Sequence, residues 1–405
     1  MEKQLRICML STHSCPVGPL GARDTGGMSV YVREVASELG KQGHLVDIYT
    51  RTHDTKESEV MTLAGNVRLI HLDAGLGEDL HKIAIYPYIP EFAANLEGFR
   101  RNEGINYDVI FSHYWLSGCV GEFTEKWWHV PHMLMFHTLA AVKNTIGEKE
   151  PELRLNTETR LMQNCQRIIA ATKREKDNIV NYYGAPSASI SVIPCGVNLD
   201  LFKPLARDES REELGLSGEK VVLFVGRIEP LKGVERLLKA VARLNDRDKV
   251  KLLIIGGDAQ SAPEIARLKG IAANLRIQDT VNFLGLIDQE KLPVYYSAAD
   301  VTVVPSYYES FGLVPLESLA CGTPVVATDV GDLTNIIRPG ITGYVVKGST
   351  GDIAEKIDSV LSWKNTGALR DTIRESVMSY SWQNIARQVE QECQLLVTEY
   401  CVLTS

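Results

Sequence analysis

Short apolar runs rich in β-branched residues recur along the chain, separated by amphipathic stretches of helix length. A first series covers residues 6–12, 45–50, 67–72, 108–113, 132–137, 167–171 and 191–194. A second covers 221–226, 250–256, 280–284, 301–304, 324–328 and 343–346. Near-continuous apolarity, instead of alternation, marks strands buried on both faces of a parallel sheet. Each series therefore predicts one doubly wound α/β unit, and the fold class is α/β with two Rossmann-like parallel-sheet domains.

The periodicity lapses at IPCGVNLDLFKP, where prolines and a glycine interrupt it, so the expected domains are 1–195 and 196–381. Residues 205–220 read as a charged surface helix. The last stretch, 382–405, is helical in period and has no strand after it, so it must pack on something already formed.

A chain of 405 residues exceeds what one hydrophobic core usually supports, which agrees with two domains. A net charge of −8 with no long Lys/Arg run argues against nucleic acid as a partner. The eight cysteines are scattered without a C-x-x-C pair and read as reduced, mostly buried thiols of a cytoplasmic protein. The apolar run 7–10 is too short for a signal peptide, and no segment approaches the length of a membrane span. Trp127 and Trp128 read as packing at a helix end, which leaves a peripheral membrane contact and a homodimer open. No metal-ligating cluster and no required cofactor are evident, and a divalent cation stays open.

Candidate chemistry gathers where strands end. After the first strand, HSCPVGPLGARDTGG leads to a helix start at Gly26 and Gly27. Bare backbone N–H groups there suit an anion, and tight helix–sheet packing would use the same glycines. The spacing is not G-x-G-x-x-G, which disfavours a hydride-transfer cofactor. In the second unit VVLFVG runs into Arg227-Ile-Glu-Pro-Leu-Lys232, two cations that either converge on a diphosphate or stand as solvated surface charges. After VTVV comes Glu309-SFGLVPL-Glu317. Pro315 suits a first helical turn and would place Glu317 in it, as a hydroxyl-binding carboxylate or as an acid complementing the helix dipole. His137 ends the apolar run HMLMFH, either as a satisfied buried histidine or as a cleft-facing one.

Taken together these segments resemble the retaining glycosyltransferases of family 4, which have the GT-B fold. Two glutamates with seven residues between them, the ACGTPVVATDVG that follows them, GRIEPLKG and TGGMSVYV stand in the family's order and span essentially the whole chain. The resemblance implies two domains facing across a cleft, with the last helix crossing back to the first domain. It implies that Arg227 and Lys232 hold the donor's diphosphate, with Gly26 and Gly27 at the first domain's helix start facing it. Glu317 would take the ribose hydroxyls and Glu309 the transferred sugar. His137 would hydrogen-bond a sugar hydroxyl without serving as general base. The implied catalytic set is His137, Arg227, Lys232 and Glu309, acting on a UDP-sugar.

Within the family the likeness is strongest to the inositol-phosphate N-acetylglucosaminyltransferases of mycothiol biosynthesis, through SHYWLSG and HTLAAVKN, with bacterial sucrose-phosphate synthases further off. This implies a phosphorylated acceptor gripped by Lys82, Tyr114, Thr138 and Arg154, with His13 and Asp24 near its ring. Ser29 stands where those enzymes carry Asn, a shorter side chain that points to a change in the polyol or sugar. The rival expectations are a sucrose-phosphate synthase, a lipid-directed transferase and, from a different class, a nucleotide-sugar-binding protein without turnover.

Overall fold

The computed structural model describes residues 3–18, 26–53, 58–75 and 80–404. The described residues form two compact units: one is built from the chain up to Pro194 together with the helix Trp382–Thr404, the other is Cys195–Ser381.

In the first unit eight strands form one sheet: β1 (Arg6–Leu10), β2 (Leu45–Arg51), β3 (Val60–Ala64), β4 (Val67–Leu72), β5 (Val109–His113), β6 (His132–Met135), β7 (Arg167–Ala170) and β8 (Ile190–Val192). Their order is β3-β4-β2-β1-β5-β6-β7-β8. All neighbours are parallel except β3, which runs antiparallel to β4. The apolar runs foretell every strand but β3. That strand is largely exposed at the sheet edge and carries no buried stripe, so its sequence lacks the signal the others have. The buried side chains of β1, β5 and β6 pack under Trp115, Leu116, Phe92 and Leu96 of the flanking helices.

The second unit holds β9 (Lys220–Val225), β10 (Val250–Ile255), β11 (Val281–Gly285), β12 (Val301–Val304), β13 (Val325–Thr328) and β14 (Gly343–Val346), all parallel, in the order β11-β10-β9-β12-β13-β14. The order reverses at β9/β12, the switch point where an open α/β sheet leaves a crevice at its carboxyl ends. The loop after β9 is pressed onto the loop after β12. At Gly233 the backbone has φ of +72°, and a Cβ there would lie 2.1 Å from the Pro305 carbonyl oxygen. Only glycine allows that approach, and it draws Lys232 towards Glu309.

The charged helix expected over 205–220 is confined to Arg207–Glu213. Helix Trp382–Thr404 packs on helix Gly27–Lys41, with Trp382 edge-on to Tyr31 at 5.6 Å and Arg167 paired to Glu399 at 2.9 Å. Its apolar face thereby covers what would otherwise be an open side of the first unit. Of the tryptophan pair, Trp128 does pack, stacked on Tyr107 and bonded to Glu97. Trp127 does not: it is 46 % exposed beside Phe123, because the helix Tyr114–Trp128 turns that face outward. None of the eight cysteines forms a disulfide, seven of them are buried, and no described helix is long and apolar enough to cross a membrane.

Candidate active site

Two groups of polar side chains stand at carboxyl ends of strands, one in each unit. In the first unit, β1 runs into Ser11–Ser14, β5 into Tyr114 and β6 into His137 and Thr138. Tyr114 and His137 hold φ of +76° and +62°, a left-handed backbone that costs a bulky residue energy and is usually sustained at functional positions. The two other described non-glycine residues with positive φ, His129 and Arg276, sit at helix ends, where that conformation is routine.

Arg154, on helix Glu152–Asn164, is fully buried below these strand ends. Its Nε donates to Glu158 Oε1 (2.7 Å), and its Nη2 donates to the Thr138 carbonyl (2.9 Å) and hydroxyl (3.0 Å). Nη1 lies 3.0 Å from Glu150 Oε1 without an aligned hydrogen bond. The guanidinium also stands 4.9 Å from the centre of the Tyr114 ring. Tyr114 in turn is tilted on His13 at 4.4 Å. Burial, and then the charge of Lys82, the neighbouring His137 and His53, and Arg154, push His13 down to about 3, so it is neutral. Lys82 opens the short helix Lys82–Ile85. The structure thus brings His13, Tyr114, Thr138, His137 and Arg154 into one cluster, with Lys82 near enough for its charge to act on His13.

Ser29 is fully buried, with its hydroxyl 2.6 Å from that of Ser14. Gly26 caps helix Gly27–Lys41 without side-chain help, and a Cβ there would meet nothing within 4 Å among the described residues. Asp24 lies outside the described residues.

In the second unit Lys232 Nζ contacts Glu309 Oε1 at 2.6 Å, and the Ser306 hydroxyl donates to the same oxygen at 3.0 Å. Arg227 pairs with Glu229 at 2.8 Å and is 40 % exposed. The helix after Glu309 is Leu313–Ala320, so Glu317 lies beyond its first turn, contrary to the sequence expectation. Pro315 does lie in the first turn, as its third residue, but Gly312, at φ of +104°, starts the helix early enough to leave Glu317 just past that turn. The dipole explanation for Glu317 fails with that correction. Its carboxylate is instead buried and accepts from the Tyr296 hydroxyl at 2.8 Å. Burial raises it to about 7, against the hydrogen bonds from Tyr296 and Gln289.

A stability effect follows from that shift. Glu317 titrates higher in the folded chain than unfolded, so its stabilisation is fully present below about pH 4.5 and is lost as pH rises through about 7. Glu317→Gln should therefore gain stability relative to the parent between those values, by up to about 1.4 kcal/mol per pH unit. Thermal unfolding at pH 5 and pH 8 checks this, and a difference that does not change with pH rules it out.

Several members of these groups carried no sequence motif. Glu150, just before a polar helix, and Glu158, on it, look like ordinary surface acids until Arg154 is seen between them. Tyr296 and Ser306 were unmarked for the same reason. His113 was within reach: it ends β5 as His137 follows β6, and a polar residue closing an apolar strand was the signal used for the latter. Among the described residues no group of three or more His, Cys, Asp or Glu could hold a metal ion.

Comparison with known proteins agrees with this layout. Residues 25–201 match the model described as Glycosyltransferase Family 4, and residues 206–376 match Glycosyl transferases group 1. The chain is 40% identical over 391 residues to a D-inositol 3-phosphate glycosyltransferase of Geodermatophilus obscurus, covering 93% of this chain and 86% of the relative. It is 38% identical over 401 residues to one of Corynebacterium jeikeium, covering 96% of each. A solved sucrose-phosphate synthase of Thermosynechococcus elongatus superposes with a TM-score of 0.90 at 33% identity, over 98% of this chain and all of that one. Matched along nearly its whole length in sequence and in fold, the chain belongs to the family 4 glycosyltransferases of GT-B architecture.

Proposed function

We propose that the enzyme moves a hexose or N-acetylhexosamine from a UDP-sugar to a phosphorylated polyol or sugar, foremost an inositol phosphate, with retention at the anomeric carbon. The observation that carries this reading is the gathering of two cations, Lys82 and Arg154, about His13, with Arg154 also against the Tyr114 ring and the Thr138 hydroxyl. Two cations and two hydroxyls are the donor set a phosphate dianion selects. The name borne by the relatives, D-inositol 3-phosphate glycosyltransferase, supports it. A sucrose-phosphate synthase reading, with fructose 6-phosphate as acceptor, draws support from the T. elongatus likeness and would use the same cluster for phosphate.

In the proposed reaction Arg227 and Lys232 stabilise the diphosphate as its bond to the anomeric carbon breaks. The acceptor oxygen bonds that carbon on the same face, and its proton passes to the departing phosphate. Glu309 holds the sugar and Glu317 the ribose hydroxyls. Lys232 arrives already paired with Glu309, so the donor rearranges a made ion pair instead of entering an empty cradle.

The test is a matrix of UDP-, GDP- and ADP-sugars against inositol phosphate, fructose 6-phosphate and their unphosphorylated counterparts, read by nucleotide release with and without a chelator. Phosphorylated acceptors should exceed unphosphorylated ones by about 10²-fold or more in kcat/KM, the worth of losing two charge-assisted hydrogen bonds. Equal rates would remove the role given to Lys82 and Arg154.

A further inference from the structure

Two histidines at adjacent strand ends meet ring to ring in the first unit. His113 Nδ1 and His137 Nε2 are 3.0 Å apart. The His113 ring is fully buried, walled by Phe111 at 4.2 Å and Tyr31 at 5.6 Å between centroids. Its Nε2 has no hydrogen-bond partner among the described residues. His137 is half-buried, held at φ of +62°, and also edge-on to Tyr31 at 5.4 Å. Its one hydrogen bond among the described residues uses Nε2, which leaves Nδ1 as the atom a ligand could meet.

The proton positions follow from these contacts. Burial lowers both imidazoles, His137 to about 3 and His113 well below its ordinary value, the latter with His137 adding to the effect. Both rings are therefore neutral and carry one N–H each. If His137 Nε2 were the donor, His113 would carry its proton on Nε2, a buried N–H facing aromatic walls. If His113 Nδ1 is the donor, the unpartnered His113 atom is a bare lone pair. Orphaned buried N–H groups are the rarer and costlier outcome. The second arrangement also leaves His137 with its proton on Nδ1.

We propose that His113 is a positioning residue: its Nδ1–H donates to His137 Nε2, fixes the ring on its strained backbone, and makes His137 Nδ1–H a hydrogen-bond donor to a hydroxyl of the transferred sugar. This rests on the reading that His137 meets that sugar. It gives His137 a defined chemistry: Nδ1 already holds a proton, and Nε2 is occupied, so the ring orients the sugar and takes no proton from the acceptor.

Nitrogen-15 histidine spectra of the intact protein test the tautomer directly, with the His137 signals assigned by their loss in His137→Gln. A protonated Nδ1 and a bare Nε2 on His137 are expected, and the reverse pattern overturns the proposal without any change to His113. His113→Phe removes the donor, and kcat/KM for the donor sugar should fall about tenfold to hundredfold, as when other histidine-orienting partners are lost. KM for the acceptor should stay near the parent value. His113→Asn places an amide N–H near the Nδ1 position and should recover most of the rate with the parent tautomer. A His113→Phe protein that keeps both the rate and the His137 tautomer refutes the positioning role. If His137→Gln itself transfers sugar at the parent rate, it is the underlying sugar-contact reading that fails, whatever His113 does. Circular dichroism of each variant separates these outcomes from loss of fold.

Discussion

Lys232→Ala is expected to lower kcat/KM for sugar transfer by about 10²–10³-fold, the scale of removing one preorganised group that stabilises charge on a leaving group. Lys232 is anchored where the 3-10 turn Pro230–Lys232 meets the loop after β12, a contact only Gly233 allows. Its ammonium is therefore held in place before any donor arrives, and alanine cannot be rescued by a neighbouring chain shift. The stability cost should be small, within about 1 kcal/mol, because the Lys232–Glu309 pair is partly exposed and Ser306 still donates to Glu309. Arg227→Ala should behave alike in rate, and its ion pair with Glu229 is more exposed still. Nucleotide release and thermal unfolding measured side by side decide the matter. A folded Lys232→Ala protein with near-parent turnover on every nucleotide sugar would remove the diphosphate from this site.

Arg154→Met carries the largest expected effect on stability, a loss of about 3–5 kcal/mol. Arg154 and Glu158 are both fully buried, and Glu158 also accepts from the Tyr183 hydroxyl and the Ala140 N–H. Burial alone would raise Glu158, and the guanidinium is the main influence opposing that rise. Without it the chain must either bury an unpaired carboxylate or protonate it. Glu150 depends on the same cation: burial would raise it, and Arg154 and Lys143 together hold it below its ordinary value. Denaturant unfolding of the single variant and of Arg154→Met with Glu158→Gln separates the causes. The double variant should regain a substantial part of the loss, since the neutral amide needs no counter-charge. An Arg154→Met protein within about 1 kcal/mol of the parent would show that the buried pair stabilises little.

These effects differ in how far they could be foreseen from the chain. Lys232 and Glu309 announced themselves by spacing and by their place after strands, because a parallel sheet always delivers its strand ends to one edge. Arg154 could be named only through the resemblance, and nothing in its own helix marked Glu150 and Glu158 as its partners. Glu317 was found, yet its setting was misjudged: Gly312 starts the helix early enough to carry it past the first turn and under Tyr296. A one-turn difference changes a dipole-complementing surface acid into a buried, hydrogen-bonded one.

By itself the sequence determined the two-sheet α/β architecture, the place of thirteen of the fourteen strands among the described residues and the strand ends at which chemistry could gather. Those follow from local apolar runs and from glycines and prolines, which act over a few residues. Tertiary structure alone decided the edge strand β3, the left-handed backbone at Tyr114 and His137, the buried Glu150–Arg154–Glu158 network and the His113–His137 contact. Each depends on which distant segments are pressed together and how much water they exclude, and neither is written in the spacing of residues along one segment.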